Sequence, residues 1–146
     1  MPGTEAEIAY RQHGLSEVAG WLERYSADFI AAVASFQRDM RWRGSLGEIG
    51  VHHGKLFILL RLNAAPGEQC FAIGLFENQE LNIDESGQGD REIFLRNLTR
   101  WSGGADGVAL IGKSSLDTTA EEILAVGGPA RLVSIDGGHT EECALN

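Results

Sequence analysis

The chain has 146 residues, of which 43% are hydrophobic and 23% charged, a composition that predicts a single soluble globular domain. Its net charge of −9 repels phosphate backbones, so nucleic acid is not expected as a partner. The longest strongly apolar run, residues 56–60, is too short to span a bilayer, and the acidic N-terminus is unlike a signal peptide. Cys70 and Cys143 form neither a metal motif nor a disulfide framework, so we expect reduced thiols in a cytoplasmic protein.

The N-terminal part of the chain predicts a helical segment ahead of the main fold. Between residues 15 and 40, apolar side chains recur at steps of three and four, which predicts an amphipathic helix with a stripe facing the core. Ser16 fits the cap at the start of this helix, and Ser26 fits the cap of a second helical segment. The sequence therefore allows either one helix or two. We therefore divide the chain into a helical segment, residues 1–42, and an α/β domain, residues 43–146. The predicted stripe consists of Val18, Leu22, Tyr25, Phe29, Val33, Phe36 and Met40.

From residue 45 onward, short apolar runs alternate with helical patterns. Thr118 and Glu121 have the spacing of a capping box, and residues 127–129 (Gly-Gly-Pro) are expected to end the helix that it begins. The alternation predicts an α/β fold, a Rossmann-like, doubly wound parallel sheet. Ligands of such sheets bind beyond the carboxyl ends of the strands. The predicted strands cover residues 46–51, 70–76, 107–111 and 131–135. One predicted helix covers residues 55–65, and three others begin near residues 90, 118 and 140.

The end of the first predicted strand carries the pattern Glu48-x-Gly50-x-x-x-Gly54. Two glycines let the backbone turn sharply and approach a ligand at the start of the next helix. The pattern lacks the residues of a phosphate loop and is not the dinucleotide fingerprint Gly-x-Gly-x-x-Gly. His52 and His53 lie inside this loop, where we expect packing beside a ligand or exposure to solvent.

These residues resemble class I S-adenosylmethionine-dependent methyltransferases. The Glu48 pattern resembles their first motif, and residues 134–140 (Ser-Ile-Asp-Gly-Gly-His-Thr) resemble the fourth-strand motif of their small-molecule O-methyltransferase-like branch. Residues 72–79 resemble the second-strand region of the same family. The resemblance covers about residues 42–146, and it implies that the chain spans roughly the first half of that fold and stops after the fourth strand.

The resemblance implies a set of cofactor-binding residues. Glu48, Gly50 and Gly54 are expected to hold the methionine part of S-adenosylmethionine, with Glu48 near its amino group. An acidic residue at the end of the second strand usually binds the ribose, but that position is Gly74 here, and Glu77 is the nearest substitute. Adenine contacts are expected after the third strand, at Lys113, Ser114 and Ser115.

The resemblance also implies two residues at the methyl acceptor. In metal-dependent members the position of Asp136 is a magnesium ligand, completed by acids after the next strand, so a full metal site is not expected within this chain. An aspartate that caps a turn is the alternative. His139 fits a general base that takes a proton from an acceptor hydroxyl, and a polar residue at the start of the next helix is its alternative.

Methyl transfer to a small-molecule acceptor, at a hydroxyl, is therefore the expected function. The alternatives are a truncated or degenerate Rossmann-like binding module without catalysis and a nicotinamide-dependent oxidoreductase. The family's strand order leaves the fourth strand as an uncovered edge, so we expect homo-oligomers formed through it. We expect Gly50→Val to abolish cofactor binding while leaving the fold largely intact.

Overall fold

A computed structural model describes residues 3–76, 89–138 and 141–145 of the protein. Its centre is a parallel four-stranded sheet in the order β3-β2-β1-β4, which confirms the expected Rossmann-like α/β fold. The two central strands, β1 and β2, are buried along almost their whole length, as expected for strands that are covered on both faces. The strands are β1 (Ser45–Ile49), β2 (Cys70–Ile73), β3 (Val108–Ile111) and β4 (Ala130–Ile135).

Helices connect the strands, and several have explicit start and stop signals. Asp90 accepts a hydrogen bond from the Ile93 amide at the start of one helix, which ends at Gly103 in a left-handed conformation. The helices are α1 (Glu5–Ala9), α2 (Leu15–Glu17), α3 (Arg24–Asp39), α4 (Lys55–Leu62), α5 (Arg91–Ser102), α6 (Ala120–Gly127) and α7 (Glu141–Leu145), with a π-helical turn at Tyr10–Gly14 and a 3-10 turn at Ser115–Asp117.

The core is formed where α4 packs on β1, β2 and α5. Helix α4 is apolar on nearly all sides, and four consecutive residues of it, 57–60, are buried. The N-terminal segment closes the core from outside, because the buried Tyr10 ring contacts Trp101 of α5 at 5.4 Å between ring centroids. In the described part of the chain no helix is long and apolar enough to cross a membrane.

The N-terminal helical pattern forms separate helices, and the predicted caps were wrong. The chain leaves helical geometry between α2 and α3, where Gly20 has a φ of 143°. Ser16 lies inside α2 and donates to the His13 carbonyl, and α3 begins after Glu23, two residues before Ser26. Of the two alternatives, more than one helix is therefore the observed one.

The prediction that the apolar stripe of this segment faces the core was also wrong for α3. The buried residues of α3 are Ala27, Ala31, Ala34 and Gln37, while the aromatic side chains of the stripe face outward. Small alanines allow close packing on α4, and Gln37 bonds Arg131 of β4 through both its amide oxygen and its amide nitrogen. The close packing of the alanines and the hydrogen bonds between Gln37 and Arg131 determine the orientation of α3. Hydrophobicity alone does not determine it.

The capping box lies one residue later than expected. Thr119 and Glu122 form it, with the Thr119 amide donating to the Glu122 carboxylate at 2.9 Å and the Glu122 amide donating to the Thr119 hydroxyl at 3.3 Å. Thr118 instead donates its hydroxyl to the Ser114 carbonyl, so it belongs to the preceding 3-10 turn.

A buried ion pair fixes the amino end of β4. Arg131 and Glu68 meet through two hydrogen bonds of 2.9 Å, and their side chains are only 3% and 5% exposed. Glu68 also accepts from the backbone amides of Gly44 and Ala65. The pair therefore joins β4 to the chain on either side of β1 and α4, at the sheet end opposite the predicted ligand site.

Candidate functional site

The candidate site lies where β1 and β4 end side by side. Strand β1 has β2 on one side and β4 on the other, so its carboxyl end is the point at which strand order reverses. Gly50 donates to the Ile73 carbonyl and Asp136 donates to the Ile49 carbonyl, each at 2.8 Å, so both continue the strand pairing past the last residue of β1. The structure thus brings the first and fourth predicted motifs together.

Glu48 is the most unusual side chain at this edge. It is 4% exposed, and one of its carboxylate oxygens, Oε2, has no hydrogen-bond partner. Burial and the charge of Asp136 raise the pKa of Glu48 to about 8, although the Phe57 backbone amide near the start of α4 donates to the carboxylate and opposes the shift. A buried acid with an unsatisfied oxygen is costly unless a cation or a donor meets it, so Glu48 fits a ligand that carries an amine.

Tyr10 is a second buried side chain that interacts electrostatically with Glu48, and the sequence pattern did not single it out. It is fully buried and donates its hydroxyl to the Lys55 carbonyl at 2.6 Å. Burial and the charge of Glu48 raise the pKa of Tyr10, so it stays a neutral donor. It precedes the predicted stripe and matches no motif, which is why the sequence gives no signal for it.

Gly50 is required by the protein's own packing, which corrects the expectation for Gly50→Val. Its φ is 95°, and a Cβ placed on it would lie 1.9 Å from the carbonyl oxygen of Asp136. The glycine therefore permits the close approach of Asp136, and a side chain there would displace the end of β4. The Gly50→Val substitution is expected to disturb the fold itself.

The loop between β1 and α4 presents an aromatic surface. His52 and His53 stack with ring centroids 3.9 Å apart, and Trp21 packs on His52 at 5.2 Å. Burial and the neighbouring His53 lower the pKa of His52, although a backbone hydrogen bond with Ala19 opposes the shift. The rings pack on each other and on Trp21, and both histidines are half-buried, so packing beside a ligand stays a prediction. The loop ends at Gly54, whose φ of 89° and contact with Phe94 set the start of α4.

The other residues predicted to bind the cofactor differ in what they contact near this edge of the sheet. Ser114 caps the 3-10 turn through a bond from the Leu116 amide, whereas a Cβ on Gly137 would lie 3.8 Å from the Ser115 hydroxyl. Ser115 thus approaches the end of β4, and Lys113 forms an ion pair with Glu122 on α6. Gly74 follows β2 and offers no acid to a ribose.

Two predicted residues, Glu77 and His139, lie outside the described ranges. Within those ranges, no group of three or more histidine, cysteine, aspartate or glutamate side chains is arranged to hold a metal ion. The assignment of Asp136 as a magnesium ligand stays a prediction.

Comparison with known proteins supports the fold alone. No family model matches the chain, and no curated protein sequence matches it. Among solved structures, the crystal structure of cofactor-bound Rv0187 from MTB is similar, with a TM-score of 0.55 and 21% sequence identity. The match covers 92% of this chain and 54% of that chain, so this chain spans about half the length of its structural relative.

Proposed function

We propose that this chain binds S-adenosylmethionine at the carboxyl ends of β1 and β4 and serves methyl transfer to a small-molecule hydroxyl. The observation that carries the proposal is the buried, partly unsatisfied carboxylate of Glu48 next to Asp136 at the reversal of strand order. The resemblance of both motifs to methyltransferases supports it, and so does the cofactor-bound state of the structural relative.

Each residue has a distinct part in this proposal. Glu48 accepts from the amino group of the cofactor, and the resulting ion pair satisfies the oxygen that the protein leaves unbonded. Asp136, held in place by Gly50, orients the acceptor side of the site, and His139 takes the hydroxyl proton. The bound cofactor supplies an already activated methyl group, so the remaining task of the protein is alignment.

One part of the cofactor is not matched by the described residues. The position that would bind both ribose hydroxyls is Gly74, and Glu77 is proposed in its place. Gly74 favours a second candidate function, a Rossmann-like binding module without catalysis. We also propose a cytoplasmic location, supported by the buried, unpaired thiol of Cys70.

Isothermal titration calorimetry with S-adenosylhomocysteine tests the proposal. Binding is expected for the protein, and Glu48→Gln is expected to weaken it by about 10- to 100-fold, the loss of one charge-assisted bond. Glu121→Gln, an exposed change on α6, is the control and should leave the affinity unchanged. Absence of binding, or equal affinity of the Glu48→Gln variant, contradicts the proposal, and binding without methyl transfer to any hydroxyl favours the second candidate.

A further inference from the structure

Helix α3 carries a continuous apolar surface on the side that faces away from the core. Its large members are well exposed: Tyr25 is 89%, Phe29 70%, Phe36 56% and Met40 53% exposed. Ala32 is exposed between them. We call these five residues the α3 outer face. A patch of this size on a surface helix marks an interaction site.

The helix cannot roll to hide this face in the protein's own core. Its inner side is held by Gln37, which bonds Arg131, and by Asp28, which accepts from Arg11 at 2.6 Å. The alanines at 27, 31 and 34 are packed on the same inner side. Rotation would break these bonds and replace alanines by aromatic rings in a close contact.

The order of residues on the outer face is symmetric about its centre. Tyr25 and Met40 lie at the two ends, and Phe29 and Phe36 lie at equal distances inside them. The midpoint falls between residues 32 and 33, next to the small residue Ala32. When two copies of such a helix cross antiparallel about a twofold axis, each end residue meets the opposite end residue and the small residues meet at the axis.

Charges at the two ends of α3 favour the same antiparallel arrangement. At the amino end the exposed Glu23 and Arg24 balance, whereas the exposed Asp39, Arg41 and Arg43 leave the carboxyl end net positive. A parallel pair would place the two positive ends together, and an antiparallel pair places each positive end beside the balanced end of the other copy.

The exposed area is also sufficient for a pair of copies. Trp42, next to Phe36 and 52% exposed, extends the outer face at one end. With about 200 Å² per large side chain, the exposed parts come to about 600 Å² per copy, or ~1,200 Å² for the pair, which reaches the lower range of specific interfaces.

We propose that the α3 outer face is the contact surface of a homodimer, in which α3 of one copy crosses α3 of a second copy antiparallel at Ala32. This surface is separate from the candidate ligand site and does not depend on the proposed function. It also differs from the edge of β4, through which the sequence predicts association.

Sedimentation equilibrium of charge-substituted variants tests this proposal. The unmodified protein should form dimers, and Phe29→Glu and Phe36→Glu should each raise the dimer dissociation constant by at least about tenfold. Ile135→Glu, at an exposed position of β4, is the matched control and should leave the dimer unchanged. A monomeric protein, or a dimer lost in Ile135→Glu and kept in Phe29→Glu, overturns the proposal. A monomer would mean that another segment or protein covers this face.

Disulfide trapping tests the geometry without relying on a destabilising change. In a Cys143→Ser background, Ala32→Cys should cross-link to itself, whereas Tyr25→Cys should cross-link only when mixed with Met40→Cys. Self-cross-linking of Tyr25→Cys, with no cross-link between Tyr25→Cys and Met40→Cys, would indicate a parallel pair and overturn the proposal. Failure of Ala32→Cys to cross-link would place the contact elsewhere and overturn it as well. Cys70 is buried and does not interfere.

Discussion

At the scale of single residues, the environment of Glu48 determines how the chain responds to pH. Its pKa is raised from 4.5 to about 8 by burial and by Asp136. Below the lower value the folded and unfolded states are both protonated. Between the two values the unfolded state releases a proton that the folded state retains, so stability falls as the pH rises.

Glu48→Gln removes this dependence, because the amide does not ionise. The free energy of unfolding of the unmodified protein is expected to drop between pH 5 and pH 8, relative to the variant, by on the order of 4 kcal/mol. Urea denaturation at both pH values measures the difference. Asp136→Asn removes one cause of the shift and should make the drop smaller. If the free energy of unfolding changes equally with pH in the unmodified protein and in Glu48→Gln, then Glu48 ionises with an ordinary pKa and the prediction is wrong.

Gly50 permits a second prediction at this scale, with another glycine of the chain as its control. Gly50→Ala places a Cβ against the Asp136 carbonyl, so it should destabilise the protein by about 3 kcal/mol or more. Gly67 has a similar φ of 85°, but nothing lies within 4 Å of its Cβ position. Gly67→Ala should therefore cost only about 1 kcal/mol of backbone strain. Thermal denaturation compares the two, and equal losses would contradict the predicted clash.

At the scale of elements, the attachment of β4 depends on the buried pair of Glu68 and Arg131. Glu68→Gln leaves the Arg131 guanidinium buried without its counter-charge, so it should lower the free energy of unfolding by about 3 kcal/mol. Lys113→Met removes an ion pair in which the two side chains are 41% and 38% exposed, so solvent screens it and the loss of stability should be much smaller. Chemical denaturation of both variants checks this, and a Glu68→Gln loss as small as that of Lys113→Met would contradict it.

The sequence predicts the elements better than it predicts their orientation. Short apolar runs bounded by glycine and proline indicate all four strands, and the parallel sheet follows from their alternation with helices. The capping box is displaced because Thr118 and Thr119 each precede a glutamate by three residues, so the pattern fits both registers equally. Only the 3-10 turn before α6 selects the later one.

The orientation of α3 was wrong for a different reason. Aromatic residues dominate a hydrophobic pattern, yet the helix buries its alanines and Gln37. Gln37 is polar, and its partner Arg131 is distant in sequence, so nothing local indicates its burial. In the site, Glu48 and Asp136 carry recognisable motifs, whereas Tyr10 becomes visible only when the N-terminal segment folds back onto α4.

At the scale of the whole molecule, two surfaces are available for different purposes. The carboxyl end of the sheet holds a buried acid and an aromatic loop, where we propose a small ligand that carries an amine. The α3 outer face suits a second copy of the chain. Hydrogen bonds hold both surfaces in place, from the Asp136 amide to the Ile49 carbonyl in one case and between Gln37 and Arg131 in the other.

Proton release on ligand binding tests the role of Glu48 most directly. At pH 6.5 the protein without ligand keeps Glu48 protonated, and a cationic amine beside it converts the acid to a carboxylate. Titration with S-adenosylhomocysteine in buffers of different ionisation enthalpy should show the release of about one proton. Glu48→Gln should release none, and neither should the unmodified protein with 5′-methylthioadenosine, which lacks the cationic α-amino group of the amino-acid part. Binding of S-adenosylhomocysteine with no proton released, or with the same release in Glu48→Gln, would contradict the account.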